Sequence, residues 1–348
     1  MKWGESAPRN GVAMKDLRSL QAELPLPGAW SASQVVRHTT LVGELAIELA
    51  GLSCQARDGT AVTAGAGCHG GDPLPRAYYE LVERVGILEA RGRATDRLAV
   101  RDSLGDELRR GEARQWLQKA EVSSSWQPSK SNGVALGPTW QFAARRAAWE
   151  LCERDQVLRS WYGAVTPKRL DVQELLPAGL ESFYELQAYR LDGGGSVCVA
   201  AVICWPREEH RPLVLGYGAR PATRDAVRAA RDECLQRVGF LWKEDLPETM
   251  PEPVPTPDFH QDYYLWPGSH GALRRWLAGD HVGLCPEIRA MPARSIDTVE
   301  YVDLTPEVLR GRAHLALALR DEELILGFGV GHPAIATLPP ELRVHPVA

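Results

Sequence analysis

Two short runs place acids and a base at spacings that could do chemistry. Glu80-Leu81-Val82-Glu83-Arg84 and Glu150-Leu151-Cys152-Glu153-Arg154 each carry two carboxylates three residues apart, with an arginine one turn beyond the first. On a helix, residues three and four apart share one face. Two such helices facing each other would bring four carboxylates together, and these repel unless cations neutralise them. Hard oxygen ligands suit Mg²⁺, which favours a site shared with phosphate oxygens. Arg84 and Arg154 could then reach a phosphate directly. A single copy would be explained as well by a solvated Glu–Arg pair worth about 0.3–0.5 kcal/mol. The expectation of a metal–nucleotide site rests on the duplication. The chain has no G-x-x-x-x-G-K-[ST], so an ordinary P-loop does not account for it.

The elements that must position these residues repeat as well. In both copies a stretch of small residues ends in a glycine, Gly67 or Gly137, and the first Glu follows at the same spacing. Each unit reads as a strand-like approach, a glycine turn allowing positive φ, a cap candidate (Asp72 or Thr139) and a helix. Backbone N–H groups and the positive helix end make such a turn a suitable surroundings for anions. A weaker third copy runs from Gly216-Tyr217-Gly218 into Asp225 to Gln236, keeping the helix but losing the second Glu and the Arg.

Elsewhere, Leu41 to Leu52 reads as an amphipathic core helix interrupted by Glu44 and Glu48, and Val172 to Arg190 has helical periodicity. Ser196 to Trp205 is a continuous apolar run rich in β-branched residues, the pattern of a buried strand. Five prolines between Glu244 and Asp258 predict an extended loop. Tyr301 to Leu304 reads as a strand running into Thr305-Pro306-Glu307, a helix cap with proline at the first helical position. A last apolar segment, His314 to Gly331, precedes the tail Leu338 to Ala348. Alternation of strands and helices points to an α+β (α/β layered) fold with repeated turn–helix units and mixed sheets flanked by helices. The expected division is an N-terminal segment, 1–59, packed on a main domain, 60–348, that carries the proline-rich loop 244–258.

The 348 residues are 44% hydrophobic and 24% charged, the composition of a globular chain, which excludes collagen, coiled-coil and membrane classes. A net charge of −5 disfavours general nucleic-acid binding. No secretory peptide is read at the N-terminus. Seven cysteines without a C-x-x-C pair fit reduced thiols and a cytoplasmic chain better than a disulfide frame. Cys68-His69 reads as an ordinary loop pair, and Trp149 as packing.

The residues around the second motif resemble a known family. Lys130-Ser131-Asn132-Gly133-Val134-Ala135-Leu136-Gly137 followed by Glu150-Leu151-Cys152-Glu153-Arg154-Asp155 resembles the S-N-G-x-A-x-G … E-x-x-E-R-D signature of the YcaO family. Gly65-Ala66-Gly67 with Glu80 to Arg84 resembles its S-G-K-G … E-x-x-E-R segment, and Val302-Asp303-Leu304-Thr305 its V-D-L-T. The resemblance covers residues 60–348. It implies an ATP site in which Glu80, Glu83, Glu150 and Glu153 hold Mg²⁺ on the phosphates. Arg84 and Arg154 would hold phosphates or brace the carboxylates, and Ser131, Asn132 and Gly133 would line the nucleotide pocket.

Members of that family activate a backbone amide of a ribosomally made precursor peptide by phosphorylating its oxygen. The product is an azoline, an amidine or a thioamide. Ala66 stands where the family often has Lys, and Phe142 where an acidic residue is common. The tail lacks the P-x-P-x-P ending of azoline-forming members, a departure that favours an amidine. His345 is the candidate catalytic base on that tail. Either a partner protein that binds the leader peptide or recognition of the core peptide alone is implied, no nucleic acid or membrane is expected, and a homodimer is one open assembly. The alternative is a non-catalytic YcaO-like partner with a degenerate ATP site.

Overall fold

The computed structural model describes residues 16–28, 30–93, 95–117, 125–129, 131–172, 179–192, 195–281, 283, 285, 288, 299–319, 324, 326–331, 335 and 338–347. Lys130, the first fifteen residues and residues 173–178 of the 172–190 segment lie outside these. In chain order the elements are α1 (Leu17–Glu23), β1 (Trp30–Val42), β2 (Leu45–Ala56), β3 (Ala61–Cys68), α2 (Leu74–Gly92), β4 (Arg97–Arg101), β5 (Glu107–Glu112), α3 (Arg114–Leu117), β6 (Trp126–Pro128) and β7 (Val134–Gly137). They continue with α4 (Trp140–Trp161), β8 (Lys168–Leu170), β9 (Tyr184–Arg190), β10 (Cys198–Pro206), β11 (Val214–Arg220), α5 (Thr223–Leu241), α6 (Pro257–Leu265), α7 (His270–Ala278), β12 (Glu300–Asp303), β13 (His314–Leu319) and β14 (Gly327–Gly329).

Three antiparallel sheets surround three long helices. Their strand orders are β1-β2-β3, β5-β4-β12-β13-β7 and β11-β10-β9-β8, and β14-β6 forms a small fourth sheet. Each sheet delivers one strand directly into one long helix: β3 into α2, β7 into α4 and β11 into α5. Each helix packs on its own strand and on that of the next unit, α2 on β7, α4 on β11 and α5 on β3. The third copy is therefore a full member of a cyclic arrangement.

β10 shows why its run is apolar throughout. Val199, Ala201, Ile203 and Trp205 enter one core with α6, α7 and the C-terminal tail, while Cys198, Ala200, Val202 and Cys204 enter another beneath α5. A strand covered on both faces has no polar side to display. The predicted strand over 196–205 and the proline-rich stretch before α6 stand as expected.

The segment 41–52 is not a helix. Leu41 and Val42 end β1, Gly43 (φ +59°) and Glu44 turn, and β2 returns antiparallel in the register Val42–Leu45, Thr39–Glu48. Leu45, Ile47 and Leu49 are buried in alternation, and Glu48 accepts a hydrogen bond from Thr39 Oγ1 at 2.7 Å. The helical spacing of Glu44 and Glu48 misleads because a cross-strand partner takes the second. Likewise Tyr184–Arg190 is the strand β9 rather than a helix, held antiparallel to β10. After β12, Thr305 caps no α-helix. Its Oγ1 accepts from Leu315 N at 3.0 Å, and only a single 3₁₀ turn, Glu307–Leu309, follows.

Gly67 and Gly137 do not turn the chain with positive φ; both lie within strands. A Cβ at Gly67 would lie 2.7 Å from Leu49 Cδ2, and one at Gly137 2.7 Å from Ala143 N. These glycines let helices press on strands. Thr139 does cap α4, accepting from Phe142 N, whereas Asp72 accepts from Leu74 N at 3.0 Å just ahead of α2 and pairs with Arg37. The boundary at residue 59 falls in the turn between β2 and β3, so the N-terminal segment supplies strands to the same sheet that leads into α2.

Candidate functional site

Charged residues of the three long helices are electrostatic neighbours across the units. On α4, Ala143, Ala144, Ala147 and Ala148 face β7 and β13, and their small size lets the helix lie close to the sheet. Glu150 and Arg154 lie seven and eleven residues after Ala143, so they continue the same stripe along the helix beyond the alanines, with Glu153 beside them. On α2, Tyr78, Leu81, Val82 and Val85 are buried, which turns Glu80 and Glu83 toward the neighbouring unit. Glu83 crosses to β7, accepting from Leu136 N at 3.0 Å.

The carboxylates form a succession of electrostatic neighbours, Glu80 beside Glu83, Glu83 beside Glu150, Glu150 beside Glu153. Burial, reinforced by Glu80, pushes the Glu83 carboxyl up to about 7 against the Leu136 N–H. Burial, then Glu83 and Glu153, push Glu150 up to about 8 despite Arg154. Glu153, 8% exposed, is raised by burial and by Glu233 of α5. Burial works against the Arg154 charge, but Glu153, Glu233 and Glu150 together hold it above the ordinary range. Arg154 Nη1 lies 3.4 Å from Glu153 Oε1.

Glu233 shows what the sequence reading missed. The third copy does not lose its arginine: Glu233, Gln236 and Arg237 reproduce the spacing of the other two helices, with Gln in place of the second Glu. Arg237 lies 4.0 Å from Glu233, as Arg84 pairs with Glu80 on α2. Glu233 Oε2 accepts from Tyr217 N at 2.8 Å. The signal in the chain is the i, i+3, i+4 pattern of Glu233, Gln236 and Arg237, completed one residue past Gln236. Arginines also gather here. Arg146 lies near Glu83, Glu150 and Glu153, and Arg220 near both Arg146 and Arg76. Trp149 sits between two guanidiniums, Arg145 at 5.4 Å and Arg220 at 5.0 Å from its ring centre.

Of the other predicted residues, Gly133 has φ +71°, its Cβ position lies 3.2 Å from Leu151, and its carbonyl accepts from Ala318 N. The Ser131-Asn132-Gly133 loop is thus fixed between α4 and β13. Asn132 Oδ1 is buried without a hydrogen-bond partner among the described residues. Arg84 is tied to Glu80 and donates to Thr63 O at 2.7 Å. Asp155 holds Arg159 at 2.8 Å and Leu324 N at 3.2 Å, bracing the helix. Ala66 is buried in the core beneath α2, and Phe142 is exposed on the first turn of α4 with Arg145 over its ring.

His345 is not placed as a base. It is 3% exposed, and Val347 N donates to its Nδ1, which leaves Nε2–H to donate to Gly327 O at 2.7 Å. Burial drives its pKa down to about 4. Its carbonyl accepts from His260 Nδ1, while Tyr217 Oη donates to Pro346 O at 2.9 Å. The tail therefore packs behind Tyr217, whose N–H holds Glu233.

The donor set fits Mg²⁺ with a nucleotide: carboxylates of low charge compatibility, arginines beside them and an unpaired buried amide oxygen. Among the described residues no three acidic, imidazole or thiol groups converge into a closed metal cage. The four carboxylates expected to meet in one pocket form a row instead, and phosphate oxygens and water are the natural remaining ligands.

Residues 117–309 match the family described as YcaO cyclodehydratase, ATP- and Mg²⁺-binding. The chain belongs to the YcaO family. Among solved structures, YcaO from Methanopyrus kandleri bound with AMPPCP and Mg²⁺ is similar over 87% of each chain at 16% identity, TM-score 0.55. A heterocyclase in complex with substrate and cofactor shares 14% identity over 95% of this chain and 55% of its own, TM-score 0.57. The Escherichia coli microcin synthetase McbBCD complex contains a chain 11% identical over 87% of this chain and 88% of that one, TM-score 0.51. These likenesses establish the YcaO fold. No curated protein matches the sequence. No helix of the described residues is long and apolar enough to cross a membrane.

Proposed function

We propose that this YcaO chain is an ATP- and Mg²⁺-dependent cyclodehydratase that activates a backbone amide of a ribosomally made precursor peptide by phosphorylating the amide oxygen. What carries the reading is the row of carboxylates delivered by equivalent positions on three equivalent helices, flanked by arginines. Glu80, Glu83, Glu150 and Glu153, with Glu233 from α5, would hold the cation. Arg84, Arg154 and Arg146 would bind phosphate, and Ser131, Asn132 and Gly133 would line the nucleotide. When bound, Mg²⁺·ATP supplies the phosphoryl group that makes an amide oxygen a competent leaving group.

The residues of this chain orient that exchange. Glu83 is fixed through Leu136 N, and Glu153 and Glu233 through Arg154 and Tyr217. His345 is a positioning residue that anchors the tail behind Tyr217. A neighbouring Cys, Ser or Thr side chain attacking the amide carbon gives an azoline, an amine gives an amidine, and both lose one water. A separate leader-binding partner protein, a cytoplasmic location and a homodimer belong to the same proposal.

Calorimetry of Mg²⁺·ATP with wild type, Glu80→Gln and Glu150→Gln tests the site, and phosphate release with peptide mass tests the reaction. Binding that weakens in both variants, with one water lost per phosphate released, is expected. A folded protein that binds no nucleotide would instead be the non-catalytic partner.

A further inference from the structure

Away from the carboxylate row, the sheet β1-β2-β3 encloses a recess of about 310 Å³ on the face it turns to α5. Three cross-strand rows build it. Gln34, Ser53 and Thr63 form a polar rim; Val36, Gly51 and Gly65 form a nearly bare middle; Leu49, beside Gly67, closes the far end. Two of the glycines are explained by α5: a Cβ at Gly65 would lie 3.1 Å from Phe240 Cζ, and one at Gly67 3.1 Å from Gln236 Cα. Gly51 has no such reason, because a Cβ there would meet nothing within 4 Å and its backbone is ordinary strand. A glycine inside a strand weakens the sheet and marks a place where something else approaches the backbone.

Resting on the proposed peptide substrate, we infer that this recess takes an aromatic side chain of the peptide, laid on the Gly51 backbone between Val36 and the Phe240 ring that covers Gly65. Its volume is at the small end of ligand pockets, the scale of one large side chain with its flanking backbone. The Phe240 ring offers an aromatic partner, and the hydroxyl of the exposed Thr63 at the rim offers a hydrogen bond to peptide groups. The recess adjoins the carboxylate row through the outer edge of β3. Thr63 O accepts from Arg84, the partner of Glu80, and Gly65 O accepts from Gln236 Nε2 at 3.4 Å. An aromatic residue seated here would hold a nearby amide beside the carboxylate helices.

The test is an NMR titration of the full chain with N-acetyl-phenylalaninamide, N-acetyl-leucinamide and N-acetyl-alaninamide, repeated on Gly51→Val. The phenylalaninamide should shift the Gly51 and Gly65 amides and bind about fivefold more tightly than the other two, the ratio an aromatic contact of about 1 kcal/mol gives. Gly51→Val fills the recess with a good strand former and should lose that binding without a fall in Tm. Thr63→Leu, at an exposed position, narrows the rim and should weaken binding even if Gly51→Val does not fold. Equal affinity for leucinamide, shifts elsewhere, or undiminished binding in the folded variants would overturn the inference. Mg²⁺·ATP affinity, measured in parallel, reads the carboxylate site alone. Its absence in wild type would overturn the proposed function, and aromatic binding that survives Gly51→Val would overturn the recess.

Discussion

Mg²⁺·ATP binding should release protons, and Glu150 should supply the largest share. With burial and its acidic neighbours pushing Glu150 to about 8 and Glu83 to about 7, the first is about nine-tenths protonated at pH 7 and the second about half. A cation held by both must displace those protons. The release should therefore be between about one and two protons per Mg²⁺·ATP at pH 7, with the raised Glu153 adding to it. Between pH 6 and pH 8 the ionised fraction of Glu150 alone rises about fifty-fold, so affinity should climb by at least that order and level off above pH 8.5. Calorimetry at pH 7 in two buffers of different ionisation enthalpy measures the proton count. Glu150→Gln should cut the release by about one proton as well as weakening binding. Tight binding with no proton release, or affinity flat from pH 6 to pH 8, would refute the placement of the cation on these carboxylates.

Metal-free stability should fall with rising pH. A carboxyl whose folded pKa lies above its unfolded value contributes stability that is complete at low pH and is lost as pH passes through the folded value, here about 7 to 8. The Tm without Mg²⁺ should drop by a few degrees between pH 6 and pH 8.5, and Glu150→Gln should flatten the slope. His345→Asn should cost about 1–3 kcal/mol of stability, because Gly327 O and Val347 N lose their partner, and should leave the pH profile of turnover unshifted near pH 6.5. A normal Tm with abolished turnover would instead make His345 a base. Gly216→Ala should destabilise by about 3 kcal/mol or more, since its Cβ would lie 2.2 Å from Ala230 O and force α5 off β11. Chemical denaturation would read that loss, and an unchanged midpoint would contradict the packing.

The helices were legible in the chain where chemistry and period coincide. Glu-x-x-Glu-Arg is a local pattern, and so is the Thr139 cap, because neither depends on any residue more than a turn or two away. The all-buried strand β10 declared itself by having no polar side. Patterns that two geometries share did not declare themselves: Glu44 and Glu48 suit one face of a helix, yet Thr39 across the hairpin claims Glu48.

The repeated strand–helix unit, its carboxylates and the family they mark are legible in the order of residues alone. Tertiary structure alone decided what those units face. Gly67 and Gly137 serve close helix packing rather than turns, Glu233 of the third helix joins the acidic row, and the tail buries His345 in hydrogen bonds instead of presenting it. The reason is physical. Helix periodicity is set by hydrogen bonds four residues apart. Which carboxylates share a field, which glycine a helix presses and which imidazole is dry depend on how separate elements pack, beyond the reach of a single helical turn.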